Sequence, residues 1–507
     1  MPAAYPDRLP DFIPGPGAML FNSFEYLLLF LPLVVLGYFW LNRRGNDFPG
    51  KLWLVAASLF FYGWWSISYL WLIGISMLFN YSLARWLGRL QGRPARTVLT
   101  AAIAGNLLLL GYYKYADFFI GNLNHWVEPP LPLLQLALPL GISFFTFTQI
   151  AFLVDVYRGK AREVNPVHYA LFVTYFPHLI AGPILHHGEM MPQFAASEAR
   201  RANWGNIQLG LFILGVGLCK KVILADSLAV GADQGFNSTE PLLFHQAWLA
   251  SLSYTLQLYF DFSGYTDMAI GASLLFNIRL PENFNSPYRA TNIQDFWRRW
   301  HMTLSRWLRD YLYIPLGGNR FGPARMYCAL FTTFLLGGLW HGASWTFVIW
   351  GALHGAAAVL HKLWQSLGLR LPALAGWLLT FLFANAAWVF FRAETLPQAL
   401  AVLRGMAGLH GFADADTLRA LANGLLEPQT WDPFEEAAYF PARQWLVLLP
   451  CLLLAWLAPN CARLAGSGNI ANPGWPATLA IGLTLGVGLF YTLFMTNGIA
   501  TFIYFYF

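Results

Sequence analysis

Long apolar runs decide what this chain can fold into. They recur at about 21–41, 51–66, 68–87, 98–113, 133–155, 168–185, 205–225, 243–277, 325–340, 343–362, 372–391, 444–458 and 476–498, most of them nearly free of charge. A helix of roughly 20 such residues crosses a hydrocarbon core about 30 Å thick, and no soluble core absorbs this many. Composition agrees, with 57% of the 507 residues hydrophobic and only 11% charged, against about 25% charged in ordinary soluble domains. The expected fold is an all-α integral membrane protein, a polytopic bundle of about 11–13 transmembrane or re-entrant helices.

Basic residues orient the bundle. Arg43, Arg44 and Lys51 follow the first run, Arg85, Arg89, Arg93 and Arg96 the third, and Arg158, Lys160 and Arg162 the fifth, while the connections between carry only Lys114. Lys and Arg accumulate on the cytoplasmic side, so these three loops are expected there. Residues 1–18 hold five prolines and read as a disordered extension, with Met19 opening a more natural start for a membrane protein. The first apolar run is too long for a signal peptide, and Asn42-Arg43-Arg44 follows it instead of a small-residue cleavage site. Residues 19–507 read as one membrane-embedded domain, with an amphipathic and chemistry-bearing region at 279–362 and a polar, mildly acidic loop at 407–442. Cys219, Cys328, Cys451 and Cys461 are far apart and read as buried small hydrophobes. No internal repeat is visible, which weakens a secondary-transporter reading.

Within 279–362, the stretch Gln294–Asp310 has helical periodicity. Phe296, Trp297, Trp300, His301, Leu304, Trp307 and Leu308 fall on one stripe, and Asp295, Arg298, Arg299, Ser305, Arg306 and Arg309 on the other. This predicts one amphipathic helix, and a helix lying at the membrane interface accounts for all of it except His301 on the apolar side, for which a satisfied core hydrogen bond is the commoner explanation. His341 lies between Gly337-Gly338 and Gly342 in a run apolar enough for membrane depth, where an ionisable residue is costly unless neutral or partnered. Neutral imidazole is cheap to bury and suits a general base; the plain alternative is a histidine packed between small residues. His354 stands 13 residues further on. Along a continuous helix that is about 20 Å away, so His354 is expected to be secondary unless the helix breaks at Gly351. No metal site is expected, since neither His186-His187 nor any other histidine has a helical partner at ligand spacing. Nucleophile-elbow, P-loop and Rossmann patterns are missing from the sequence.

Seven segments carry a family resemblance: MLFNSFEYLLLFLPL at Met19, YFPHLIAGPI at Tyr175, GLCKKVILAD at Gly217, YFDFSGYTDMAIG at Tyr259, NFNSPYRATNIQDFWRRWHMTLSRWLRDYLYIPLGGNR at Asn283, GGLWHGASWTFVIWGALHG at Gly337 and WVFFRAE at Trp388. They resemble the membrane-bound O-acyltransferase family, in the bacterial branch that acetylates alginate and peptidoglycan or D-alanylates teichoic acids. His178 departs from that pattern, standing where the commonest form has Gln. The resemblance implies helices around a tunnel, no bound cofactor, and a cytoplasmic thioester donor, acetyl-CoA. His341 matches the family's essential histidine and His301 its second polar position. His341 is thus expected to take the proton of the attacking hydroxyl, and His301 to orient it or steady the developing charge. Trp300, Trp340, His354, Asn283 and Arg298 are expected to line or support the tunnel. The ending Phe502-Ile503-Tyr504-Phe505-Tyr506-Phe507 resembles the branch's F-x-Y-F-x-F ending, which makes Tyr504 the acyl acceptor and relay. An interfacial aromatic anchor is its alternative.

The resemblance therefore implies a membrane O-acetyltransferase that moves acetyl across the bacterial inner membrane toward hydroxyls of an exported polysaccharide. Its implied partners are the lipid bilayer, an extracytoplasmic SGNH or esterase-like acetyltransferase and polysaccharide-export proteins, with no nucleic acid. A transporter or flippase for a lipid-linked glycan is the alternative of another class, being equally polytopic with buried histidines.

Overall fold

The computed structural model describes residues 19–161, 165–412, 441–466, 475–494 and 502–503. The expected extension 1–18, most of the polar loop 407–442, and Tyr504 lie outside the described residues. Among the described residues the regular structure is all helical.

Six helical stretches are long and apolar enough to cross a membrane: Glu25–Asn42, Ile67–Leu87, Gly92–Leu123, Trp204–Phe236, Trp345–Ser366 and Ala373–Arg392. Ile142–Tyr157, Gln444–Leu457 and Ala480–Thr492 are apolar but shorter. The first span shows how lipid takes the place of a core. Tyr26, Phe30, Val34 and Tyr38 are buried in protein, while Leu29, Leu33, Leu36 and Trp40 are exposed on the other side. In water such a face would drive association; in a bilayer it is solvated by acyl chains. The same surface explains a difference from expectation for the cysteines. All four are free, and Cys451 and Cys461 are buried, but Cys219 is half-buried and Cys328 exposed. An apolar residue in a membrane protein need not face inward.

The described chain falls into two compact units. One runs to Leu214 and takes in Met268–Pro281; the other comprises Gly215–Asp267 and Glu282–Ile503. In the first, side-chain amides join the helices. Asn80 and Asn106 exchange reciprocal bonds of 3.0 and 2.7 Å, and Gln149 donates to Ser76 while accepting from Tyr169. Interhelical polar bonds of this kind hold bundles together where the hydrophobic effect has no purchase. In the second unit the part of the long helix Phe244–Leu274 up to Asp267 is tied to Ala373–Arg392 through Thr255, Asn385 and Ser251. Two lysines on the π-helical turn Lys220–Ala225 reach its carboxylates, Lys220 to Asp267 at 2.6 Å and Lys221 to Asp261 at 2.8 Å.

Candidate active site

The predicted amphipathic helix is broken in two at the residue of most interest. Ile293–Trp297 starts with Asn292 capping the Asp295 amide, and a second helix runs Met302–Leu308. Between them His301 adopts the left-handed conformation, φ 42° and ψ 54°. For a residue with a Cβ this costs roughly 1–2 kcal/mol, which the surroundings offset. Asn283 does so from a separate loop. Its backbone carbonyl accepts from the Met302 amide at 3.0 Å, and its side-chain oxygen accepts from the Thr303 amide at 3.2 Å and the Thr303 hydroxyl at 2.9 Å. That oxygen is in effect the cap of the second helix, an interaction typically worth about 1 kcal/mol. Periodicity is blind to this break, because the cap comes from 18 residues upstream.

The same oxygen fixes the imidazole. His301 Nδ1 lies 3.0 Å from Asn283 Oδ1. A backbone N–H only donates, so the Asn283 atom facing Thr303 is the oxygen. His301 Nδ1 therefore carries the proton and donates, and Nε2 bears the lone pair. The ring is fully buried, with Phe262 edge-on at 4.8 Å. Burial pushes its pKa down to about 3, so the neutral form persists.

His341 also sits at a break. The helix Pro323–His341 stops there, Gly342 is extended, and Ser344 caps the helix Trp345–Ser366 through the Thr346 amide. The two helices form a tight hairpin. A Cβ at Gly338 would lie 2.8 Å from Gly351 Cα, and one at Gly351 would lie 2.6 Å from the Phe334 carbonyl. The close approach the glycines permit is thus that of a neighbouring backbone.

The hairpin corrects the separation expected for His354. The chain turns at Gly342 and Ser344, not at Gly351, and doubles back. Trp350 then touches both imidazoles, with ring centroids 5.1 Å from His341 and 4.7 Å from His354. Trp297 Nε1 donates to His354 Nδ1 at 3.2 Å, which leaves the His354 proton on Nε2.

Trp340 links the candidate histidines. Its ring lies 5.0 Å from His341 and 6.5 Å from His301. Trp300 is buried one layer behind, 4.8 Å from Trp388 and 5.1 Å from Phe284. Of the residues expected at the site, His301, His341, His354, Asn283, Trp300 and Trp340 fall into one aromatic cluster. Arg298 does not. It is exposed in the turn after Ile293–Trp297, on the polar side where the helical periodicity already put it. Sequence reasoning missed Phe262, Trp350 and Phe391, the last 5.1 Å from His341. A plain aromatic in an apolar run gives no signal apart from the fold.

These features define a multi-pass membrane protein with buried histidines enclosed by aromatic rings. The profile of MBOAT, the membrane-bound O-acyltransferase family, matches residues 59–393. A peptidoglycan O-acetyltransferase of Helicobacter pylori is 44% identical over 96% of this chain and 98% of its own length. A probable alginate O-acetylase of Pseudomonas aeruginosa is 41% identical over 84% of this chain and 82% of its own length. A teichoic acid D-alanyltransferase of Bacillus subtilis is 29% identical over 53% of this chain and 69% of its own length. The chain belongs to the membrane-bound O-acyltransferase family and is an acyltransferase.

Proposed function

We propose that this enzyme transfers acetyl from cytoplasmic acetyl-CoA, across the bacterial inner membrane, toward hydroxyls of an exported glycan. The observation that carries the reading is that His301 and His341 both lie near the ring of Trp340, with His301 held by Asn283 in the tautomer whose Nε2 is a hydrogen-bond acceptor. A hydroxyl attacking a thioester must lose its proton as the C–O bond forms, and the thiolate leaving group must gain one. His341 takes the hydroxyl proton and returns it to the departing sulfur. A hydroxyl has a single proton, so His301 Nε2 can accept a hydrogen bond from it only as the hydroxyl enters, before His341 takes that proton; a nitrogen that accepts does not suit donating to an oxyanion. The surroundings of the His301 ring, apolar and closed, keep water from competing with the acceptor hydroxyl.

Similarity to relatives named for peptidoglycan and alginate supports an exported glycan as the final acceptor. In this reading Tyr504 receives the acetyl group from the donor and passes it to an extracytoplasmic esterase-like transferase, so CoA never crosses the membrane. The test is made in cells carrying His341→Ala. Ester-linked acetate, released by mild alkali from exported polysaccharide and from purified peptidoglycan, should vanish from one of the two fractions while the protein stays in the membrane at its normal level. Normal acetate in both fractions contradicts the reading.

A further inference from the structure

The charged cluster beside the site has a carboxylate more than charge balance requires. Lys221 Nζ is bonded to Asp226 Oδ1 at 2.6 Å and to Asp261 Oδ1 at 2.8 Å. Lys221 and Asp261 are 3% and 1% exposed and the Asp226 side chain 19%, so of the two carboxylates on this ammonium it is Asp261 that lies out of reach of bulk solvent. Asp226 alone would neutralise the lysine. A buried carboxylate persists only where donors satisfy its oxygens. Asp261 Oδ2 accepts one from elsewhere in the chain, the backbone N–H of Ile503 at 2.9 Å.

The neighbours of Asp261 on the same helix hold the side chain that precedes that amide. Phe502 stacks on Tyr265, with centroids 4.3 Å apart and planes 17° apart, and lies 5.8 Å from Phe262. Phe262 is the ring set edge-on against His301. Residues 261, 262 and 265 follow one another as i, i+1 and i+4 on Phe244–Leu274, so one helix face meets both the backbone and the side chain of the segment.

We propose that Asp261 is a positioning residue, a docking carboxylate that Lys221 clamps in place and that holds the Phe502–Ile503 segment on the helix face leading to His301. The amide bond carries no side-chain preference, so position 503 tolerates any residue with an N–H, whereas the stack on Tyr265 calls for an aromatic at 502. The inference rests on the proposed function at one point only, that Tyr504, next in sequence, is the acyl carrier. Docking itself is measured without any transfer.

The test follows hydrogen–deuterium exchange of the full chain in lipid nanodiscs, read on peptides spanning 498–507 and on peptides from Phe244–Leu274, alongside acyl transfer from labelled acetyl-CoA. In the native protein the Ile503 amide, within the first peptide, should be protected. Asp261→Ala should speed its exchange at least about ten-fold. Because that change could disturb the ion cluster, Ile503→Pro is the companion: it removes the N–H and leaves Lys221, Asp226 and Asp261 in place. It should speed exchange of the remaining amides of 498–507 as Asp261→Ala does, while Ile503→Ala keeps native exchange. Native-like exchange in both Asp261→Ala and Ile503→Pro overturns the docking. Lost protection with lost transfer supports the docking and the carrier reading together. Lost protection with undiminished transfer supports the docking and overturns the carrier reading.

Discussion

Asn283 Oδ1 lies 3.0 Å from His301 Nδ1 and 3.2 Å from the Thr303 amide nitrogen, so one oxygen sets both the tautomer of an imidazole and the start of the helix behind it. Asn283→Ala removes both. Acyl transfer should drop on the order of 10²-fold, as for loss of an aligned proton acceptor, and stability by about 1 kcal/mol, as for loss of a cap. Asn283→Asp separates the two effects. An aspartate still accepts from Thr303 and from His301 Nδ1, but its charge favours imidazolium and raises the histidine's pKa. The acidic limb of the pH–rate profile should therefore move to higher pH while the plateau rate largely recovers. An unmoved profile with full activity would show that the imidazole takes no part in the reaction.

Burial gives His301 a second, thermodynamic signature. Its folded pKa is lowered to about 3 from an ordinary 6.5, so the unfolded chain binds the extra proton first as pH falls. The buried neutral ring costs no protonation energy above about pH 6.5. Below that, stability declines as pH falls toward the folded value, by at most about 1.4 kcal/mol per pH unit from this group. Thermal denaturation in detergent should show a steeper loss between pH 6.5 and 4.5 for the native protein than for His301→Asn. Asparagine is the fitting replacement because it tolerates the left-handed backbone.

The hairpin carrying His341 makes a sharp distinction between adjacent glycines. A Cβ at Gly338 meets the backbone of Gly351, while one at Gly337 meets only Leu308 Cδ1, at 3.2 Å. Gly338→Ala must prise the helices apart, with a cost of about 1–3 kcal/mol and a displaced His341. Gly337→Ala needs only a rotamer shift of one leucine. Melting temperature and acyl transfer should both fall in the first variant and hold in the second.

The membrane class was legible in the apolar runs, since no packing detail changes what 20 uncharged residues require of their solvent. His341 and His301 were legible as polar residues in apolar settings, and the family pattern ranked them. What escaped was the backbone. The break at His301 depends on an asparagine in another loop, and the hairpin at Gly342 depends on Ser344 capping and on Gly338 meeting Gly351. Both are contacts between segments, which a periodicity computed along one segment cannot register. The Lys221–Asp261 pair belongs to the same group. Each residue is a charge within an apolar run, and only the fold makes them partners.

Purified protein in nanodiscs, incubated with acetyl-CoA labelled in the acetyl group and analysed by peptide mass spectrometry, tests the catalytic assignment most directly. Label should appear on the peptide containing Tyr504, should be lost in His341→Ala, and should be sharply reduced in His301→Asn. Undiminished labelling in His341→Ala would contradict the role of His341 as the base.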